Sequence, residues 1–107
     1  MVEDTGKDLR AMINLLEKDG SRWAQLFQKA LMAYEQGDYY RCGEIILSAS
    51  GGLGSLNDVV LGQTTDQDGN FQWKAGYEEM NCSYQELLSS LYAFARERRQ
   101  AANQSNL

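Results

Sequence analysis

Apolar residues recur at helical spacing through the first half of the chain. Leu9, Met12, Ile13 and Leu16 fall at i, i+3, i+4 and i+7, one stripe of a 3.6-residue helix. The pattern predicts a first helix from Asp4 or Thr5 to Lys18. Asp19-Gly20 stops it, because glycine can take the left-handed conformation that closes a helix. A second helix over 21–36 has Ser21 as its N-cap, and Trp23, Leu26, Phe27, Ala30, Leu31 and Tyr34 as its stripe. Gly37 ends it. Asp38 caps a third helix reaching Ala49, with Tyr39, Cys42, Ile45, Ile46 and Ala49 turned inward. Links this short make successive helices antiparallel neighbours.

The pattern then breaks. Gly51, Gly52 and Gly54 crowd into four positions, which ends the third helix and forces an excursion of the backbone. Ser55 and Asp58 stand at the spacing of a capping box. They predict one short helical turn over 56–61, with Leu56, Val59 and Val60 folded onto the core. Residues 62–76 read as a loop or short hairpin around Asp68-Gly69, a strong turn signal. There Phe71 and Trp73 alternate with polar residues as in a half-buried strand. The last helix is expected to begin at Ser83, with Glu86 completing a capping box. Its core stripe is Tyr84, Leu87, Leu88, Leu91 and Ala95, flanked by Tyr92 and Phe94. Arg96, Arg98 and Arg99 fall in its expected last turns, where cations suit the helix dipole.

These elements predict a mainly α protein: a compact bundle of about four helices, with a Gly-rich turn and a short irregular or hairpin segment before the last helix. Trp23, Leu26, Phe27, Ile46, Leu88 and Leu91 are expected in its core. The length of 107 residues, 43% of them hydrophobic, suits one helical domain over 1–100. The polar residues 101–107 read as a frayed tail.

Composition narrows the chemistry. The chain has no histidine and no proline. Without histidine it lacks the commonest general base at neutral pH, the usual nucleophile–base pairs and the usual zinc ligand. Cys42 and Cys82 lie 40 residues apart, which makes neither a metal framework nor a disulfide scaffold. They are expected as buried free thiols in a reducing cytoplasm. The start Met1-Val2-Glu3-Asp4 has no apolar stretch of a secretory signal, and no apolar run approaches the ~18 residues of a membrane span.

The net charge of −5 is uneven. Residues 35–79 carry eight carboxylates against two bases, whereas the flanking thirds are close to neutral. An acidic middle argues against nucleic acid, which needs a basic patch, and permits a basic protein partner. Asp58, Asp66, Asp68, Glu78 and Glu79 are the candidate charges of such a surface, with Trp73 and Tyr77 as aromatic anchors. Phe71, Tyr39 and Tyr40 lie in the same third of the chain.

Sites of other kinds are poorly matched. The Gly-rich segment lacks the Lys-Ser/Thr of a phosphate loop and follows no predicted strand. Gly51, Gly52, Gly54, Ser55, Asn57 and Asp58 are therefore read as a structural motif. Asp66-Gln67-Asp68-Gly69-Asn70 puts Gly at the fourth position instead of the sixth, and Tyr77 where a calcium loop has its final Glu. Glu78-Glu79 are adjacent, and nothing sets any carboxylate pair across a cleft. No catalytic residue, metal site or cofactor is predicted.

The run Gly51-Gly52-Leu53-Gly54-Ser55-Leu56-Asn57-Asp58, followed by Val59-Val60-Leu61, resembles a family of small uncharacterised bacterial helical proteins. Their motif reads GG(M/L)GS(F/L)ND before an apolar triplet, with a Trp-Ala near the start of the second helix, here Trp23-Ala24. The similarity covers most of residues 8–95, and this chain departs from it by a longer loop over 62–82. Some members resemble immunity proteins encoded near toxin genes. The resemblance implies a helical fold, and no activity is attached to the motif. Taken with the acidic middle and the free thiols, the first functional reading is a non-enzymatic, cytoplasmic protein-binding module, most concretely an immunity protein that neutralises a basic toxin domain. Two alternatives stay open: a helical regulatory or structural domain that self-associates through the stripe of its last helix, and a small ligand-binding protein or enzyme built on the Gly-rich segment.

Overall fold

Two aspartates begin two of the helices. In a computed structural model that describes residues 4–49 and 55–105, Asp4 accepts a hydrogen bond from the Lys7 N–H at 2.9 Å, and Asp38 accepts one from the Arg41 N–H at 3.2 Å. Each satisfies an amide that has no partner inside its own helix. Helices α1 (Thr5–Lys18) and α3 (Tyr39–Leu47) follow them. Between them lies α2 (Trp23–Glu35), where Ser21 accepts from the Trp23 N–H at 3.2 Å. After residue 54 come a 3-10 turn over Leu56–Asp58, strands β1 (Gln63–Thr65) and β2 (Phe71–Trp73), and helix α4 (Tyr77–Ser105). The fold is mainly α, as the pattern predicts. Gly51, Gly52 and Gly54 lie outside the described residues.

Each helix packs on the next, and α4 closes back on α1. One cluster fills the space between them, centred on Leu9, Met12, Leu16, Phe27, Ile46, Tyr84, Leu88 and Leu91. Gly43 sets the spacing of α3 against α4: a Cβ there would lie 3.1 Å from the Ala95 Cα, so a side chain at this position would have to push the two helices slightly apart.

The structure corrects several expectations. Trp23 and Leu26 are half-buried, because the inner side of α2 is taken by Ala24, Phe27, Ala30 and Ala33. In the run Val59-Val60-Leu61, Leu61 is the buried residue and Val60 is 48% exposed. The turn ends at Asp58, and the extended chain beyond it alternates its side chains. Cys42 is buried but Cys82 is exposed on α4.

Helix α4 begins at Tyr77, six residues before Ser83. Residues 77–82 contain no breaker, Glu78 and Glu79 suit a first turn, and Ser83 lies mid-helix, where no orphan amide needs a cap. The helix also continues through Ser105, so Arg96, Arg98 and Arg99 are not in its last turn. The Arg96 and Arg98 guanidiniums instead lie over the Tyr92 and Phe94 rings. Of its predicted stripe, Tyr84, Leu88, Leu91 and Ala95 are buried in the core and Leu87 is half-buried at its edge. Among the described residues no helix is long and apolar enough to cross a membrane.

Candidate protein-binding surface

The hairpin is built on one carboxylate at its tip and one at its base. At the tip, Asp66 accepts from the Asp68 and Asn70 N–H groups, both at 2.9 Å. A side chain that mimics a backbone turn in this way is the ordinary role of Asp before a glycine turn. At the base, Asp19 at the end of α1 accepts from the Gly62 N–H at 2.9 Å and from Lys74 Nζ at 3.3 Å. Gly62 precedes β1 and Lys74 follows β2, so Asp19 holds both legs. Gly62 has φ +85°, and a Cβ there would come within 2.5 Å of the Tyr77 Cβ, so the passage into the hairpin requires glycine.

Asn81 fixes α4 to the same place. Its amide accepts from the Leu61 N–H at 2.8 Å and donates to the Leu61 carbonyl at 2.9 Å. This reciprocal pair copies the exchange between two β-strand residues. Two tyrosines fasten the preceding turn: Tyr84 donates to the Leu56 carbonyl at 2.7 Å and Tyr92 to Asn57 Oδ1 at 3.2 Å. Ser55 is buried and accepts from the Asn57 N–H. Ser55 and Asn57 thus shape the turn and join it to α4.

The strands pair antiparallel, Gln63 with Trp73 and Thr65 with Phe71. Neither strand buries a residue, and β2 is exposed on both faces. Phe71 is 56% and Trp73 45% exposed, in place of the half-burial the alternation predicts, because among the described residues the strands pack mainly on each other. The rings touch one another instead. Phe71 meets Trp73 edge-on at 5.0 Å, and Trp73 stacks on Tyr77 at 4.5 Å with planes 20° apart. Such geometry stabilises aromatic pairs beyond burial alone. The result is a ladder of three rings outside the core.

Acidic groups stand on the hairpin and in the first turn of α4. Asp68 is exposed at the hairpin tip, and Glu78 and Glu79 are exposed beside Tyr77. The Glu78 carboxylate at its hydroxyl holds the Tyr77 phenol above its ordinary pKa. Of the predicted site residues, Trp73 and Tyr77 stack and Glu78 lies at the Tyr77 hydroxyl, while Asp68 is exposed at the hairpin tip and Glu79 in the first turn of α4. Asp66 is drawn into the turn. Asp58 sits in the 3-10 turn on a separate groove, shared with Asp19, Arg22, Trp23 and Val60. Sequence reasoning passed over Asp19 and Asn81. Asp19 looked like part of a helix stop, and an Asn inside a helix carries no signal for a partner 20 residues away.

Elsewhere burial dominates the titratable groups. Desolvation raises the Cys42 thiol from 9.0 to about 11, assisted by Asp38. It also raises the Tyr84 and Tyr92 phenols, against a small opposing effect of Arg96 on Tyr92. Among the described residues no three of the His, Cys, Asp and Glu side chains converge as a metal site would require.

One family profile, described as a domain of unknown function (DUF6966), matches residues 17–73. The match runs from the end of α1 through β2. No curated protein and no solved structure matches the chain.

Proposed function

We propose that this chain, which belongs to the DUF6966 family, works as a non-enzymatic protein-binding module through its hairpin and the start of α4. The observation that carries this reading is the stack of Phe71, Trp73 and Tyr77, exposed at Phe71 and Trp73, with Glu78 at the Tyr77 hydroxyl. A hydrophobic stack of this size in water adds nothing to the core. Desolvated by a partner, it supplies the aromatic anchors that dominate binding energy. The carboxylates of the hairpin and of the first turn of α4 favour a basic partner and speed its approach.

The finer reading is an immunity protein of a bacterial cytoplasm that neutralises a basic toxin domain. It rests on the resemblance of the motif around Gly51–Asp58 and on the local acidity. In this reading Asp58 lies apart from the contact surface, and Asp66 serves by holding the turn.

The test begins with the neighbouring gene: one that encodes a basic toxin domain supports the reading, and the association and dissociation rates of that domain are then measured against the purified chain. Trp73→Ala should raise the dissociation rate and weaken affinity by ~2 kcal/mol or more, about 30-fold. Asp68→Lys combined with Glu78→Lys should slow association at low salt, with the gap closing at high salt. Asp66 is left intact, since its removal would collapse the turn. Unchanged binding in both variants would move the contact to another face.

A further inference from the structure

Helix α2 distributes its apolar residues against expectation. Three of its four buried positions are alanines, Ala24, Ala30 and Ala33. Its bulkier Trp23 and Leu26 are half-buried, and Met32 is 61% exposed. Alanines line the core while Trp23 and Leu26 pack at its edge and Met32 stands outward, which leaves apolar area on this face for contact. Two shallow depressions, of about 430 and 470 Å³, run along this flank and share Lys29. The first opens at Arg22, Trp23 and Leu26; the second continues past Met32 to Arg41 and Ile45 of α3. Arg22, Lys29 and Arg41 make no ion pair among the described residues. The flank is therefore apolar and basic on an acidic chain.

Its complement is on the same molecule. The aromatic ladder is apolar and acidic, and both surfaces adjoin the turn between α1 and α2. Asp19 in that turn clamps the hairpin base, and the basic flank opens three residues later at Arg22. We propose that the protein forms a two-fold dimer in which each hairpin, with its rings and carboxylates, docks on the α2–α3 flank of the other copy. A donor patch and an acceptor patch lying side by side can both be used at once across a two-fold axis, which closes the assembly at two chains. Opposite charge sets the register, and Trp, Tyr, Met and Arg are residues that interfaces favour. A dimer of this kind covers the ladder, so a basic partner must displace one copy to reach it.

The dimer goes beyond the proposed function and needs no toxin. Sedimentation of the purified chain over a concentration series should show a monomer–dimer equilibrium that shifts to monomer at high salt. Two charge-reversed variants sharpen the test: Lys29→Glu with Arg41→Glu on the flank, and Glu78→Lys with Glu79→Lys beside the ladder. Each should be monomeric alone and folded by circular dichroism. Mixed in equal amounts, they should form a heterodimer, because both contacts then pair opposite charges. A wild-type chain that stays monomeric at every concentration overturns the proposal. So does a dimer that survives either reversal, or a mixture of folded variants that fails to pair. Toxin binding by a chain that never dimerises would leave the function standing and remove only the dimer.

Discussion

The helical body and the hairpin use aromatic residues in opposite ways. In the body, Phe27 and Tyr84 are fully buried, and the Tyr84 hydroxyl is satisfied by the Leu56 carbonyl. In the hairpin, Phe71, Trp73 and Tyr77 stack on one another at the surface. The body places its rings where removing water stabilises the fold. The hairpin keeps comparable area wet, held by hydrogen bonds at Asp19 and Asp66 rather than by a core of its own. Two-stranded hairpins are marginal alone, so this one persists because its base is tied to α1 and α4. Stability and recognition are thus lodged in separate parts of a short chain.

Substitutions can break or sharpen that separation. The largest effect is expected at Phe27, the biggest apolar side chain that is fully enclosed. Phe27→Ala should cost about 3–5 kcal/mol in chemical denaturation, through lost burial and the cavity left behind. A cost below ~1 kcal/mol would mean that the body collapses around the gap. Tyr84→Phe keeps the ring and removes only the hydroxyl, leaving the buried Leu56 carbonyl without its tyrosine donor. A loss of about 1–3 kcal/mol is expected from an unsatisfied buried group. A neutral result would show that another donor reaches that carbonyl.

Alkaline pH probes the body alone. Below pH 9.0 the Cys42 thiol is protonated whether the chain is folded or not, and its contribution is fully present. As the pH climbs through about 11, the unfolded thiol ionises before the buried one does, so stability is lost across that window. Cys42→Ala should flatten this part of the decline in a pH series of melting curves. The remaining decline belongs to buried tyrosines such as Tyr84. The smallest effect is expected at Trp73. Trp73→Ala should cost folding stability only about 0.5–1.5 kcal/mol, the worth of the ring contacts it removes, while binding suffers. A large loss of stability would make the ladder part of the fold and erase the distinction between the two regions.

Much of this division is legible in the chain itself. The stripe Leu9, Met12, Ile13, Leu16 and the cap Asp38 act within a few residues of their partners, so local spacing locates them. The Asp68-Gly69 turn is of the same kind, and Gly69 has the positive φ such turns use. The start of α4 was hidden because Ser83 and Glu86 match a cap wherever they stand. Only the chain before them decides whether an amide needs it. Val60 and Leu61 could not be ranked, since either fits an apolar triplet and the side chain that is buried depends on where the 3-10 turn ends.

The candidate surface was legible in its residue types and not in its assembly. Local charge and aromatic content pointed to Trp73, Tyr77, Asp68, Glu78 and Glu79 before any fold was known. That Asp66 serves the turn and Asp58 lies apart follows from the course of the backbone. The sequence by itself determined the helices, most of their ends and the acidity of the middle third, because these follow from periodicity, capping and composition over short distances. Only the tertiary structure decided that the rings of Phe71, Trp73 and Tyr77 meet in solvent while α2 turns alanines inward. Both outcomes depend on which surfaces come to face each other. For the hairpin that choice is made at Asp19, 43 residues away from Gly62 and invisible to any local pattern.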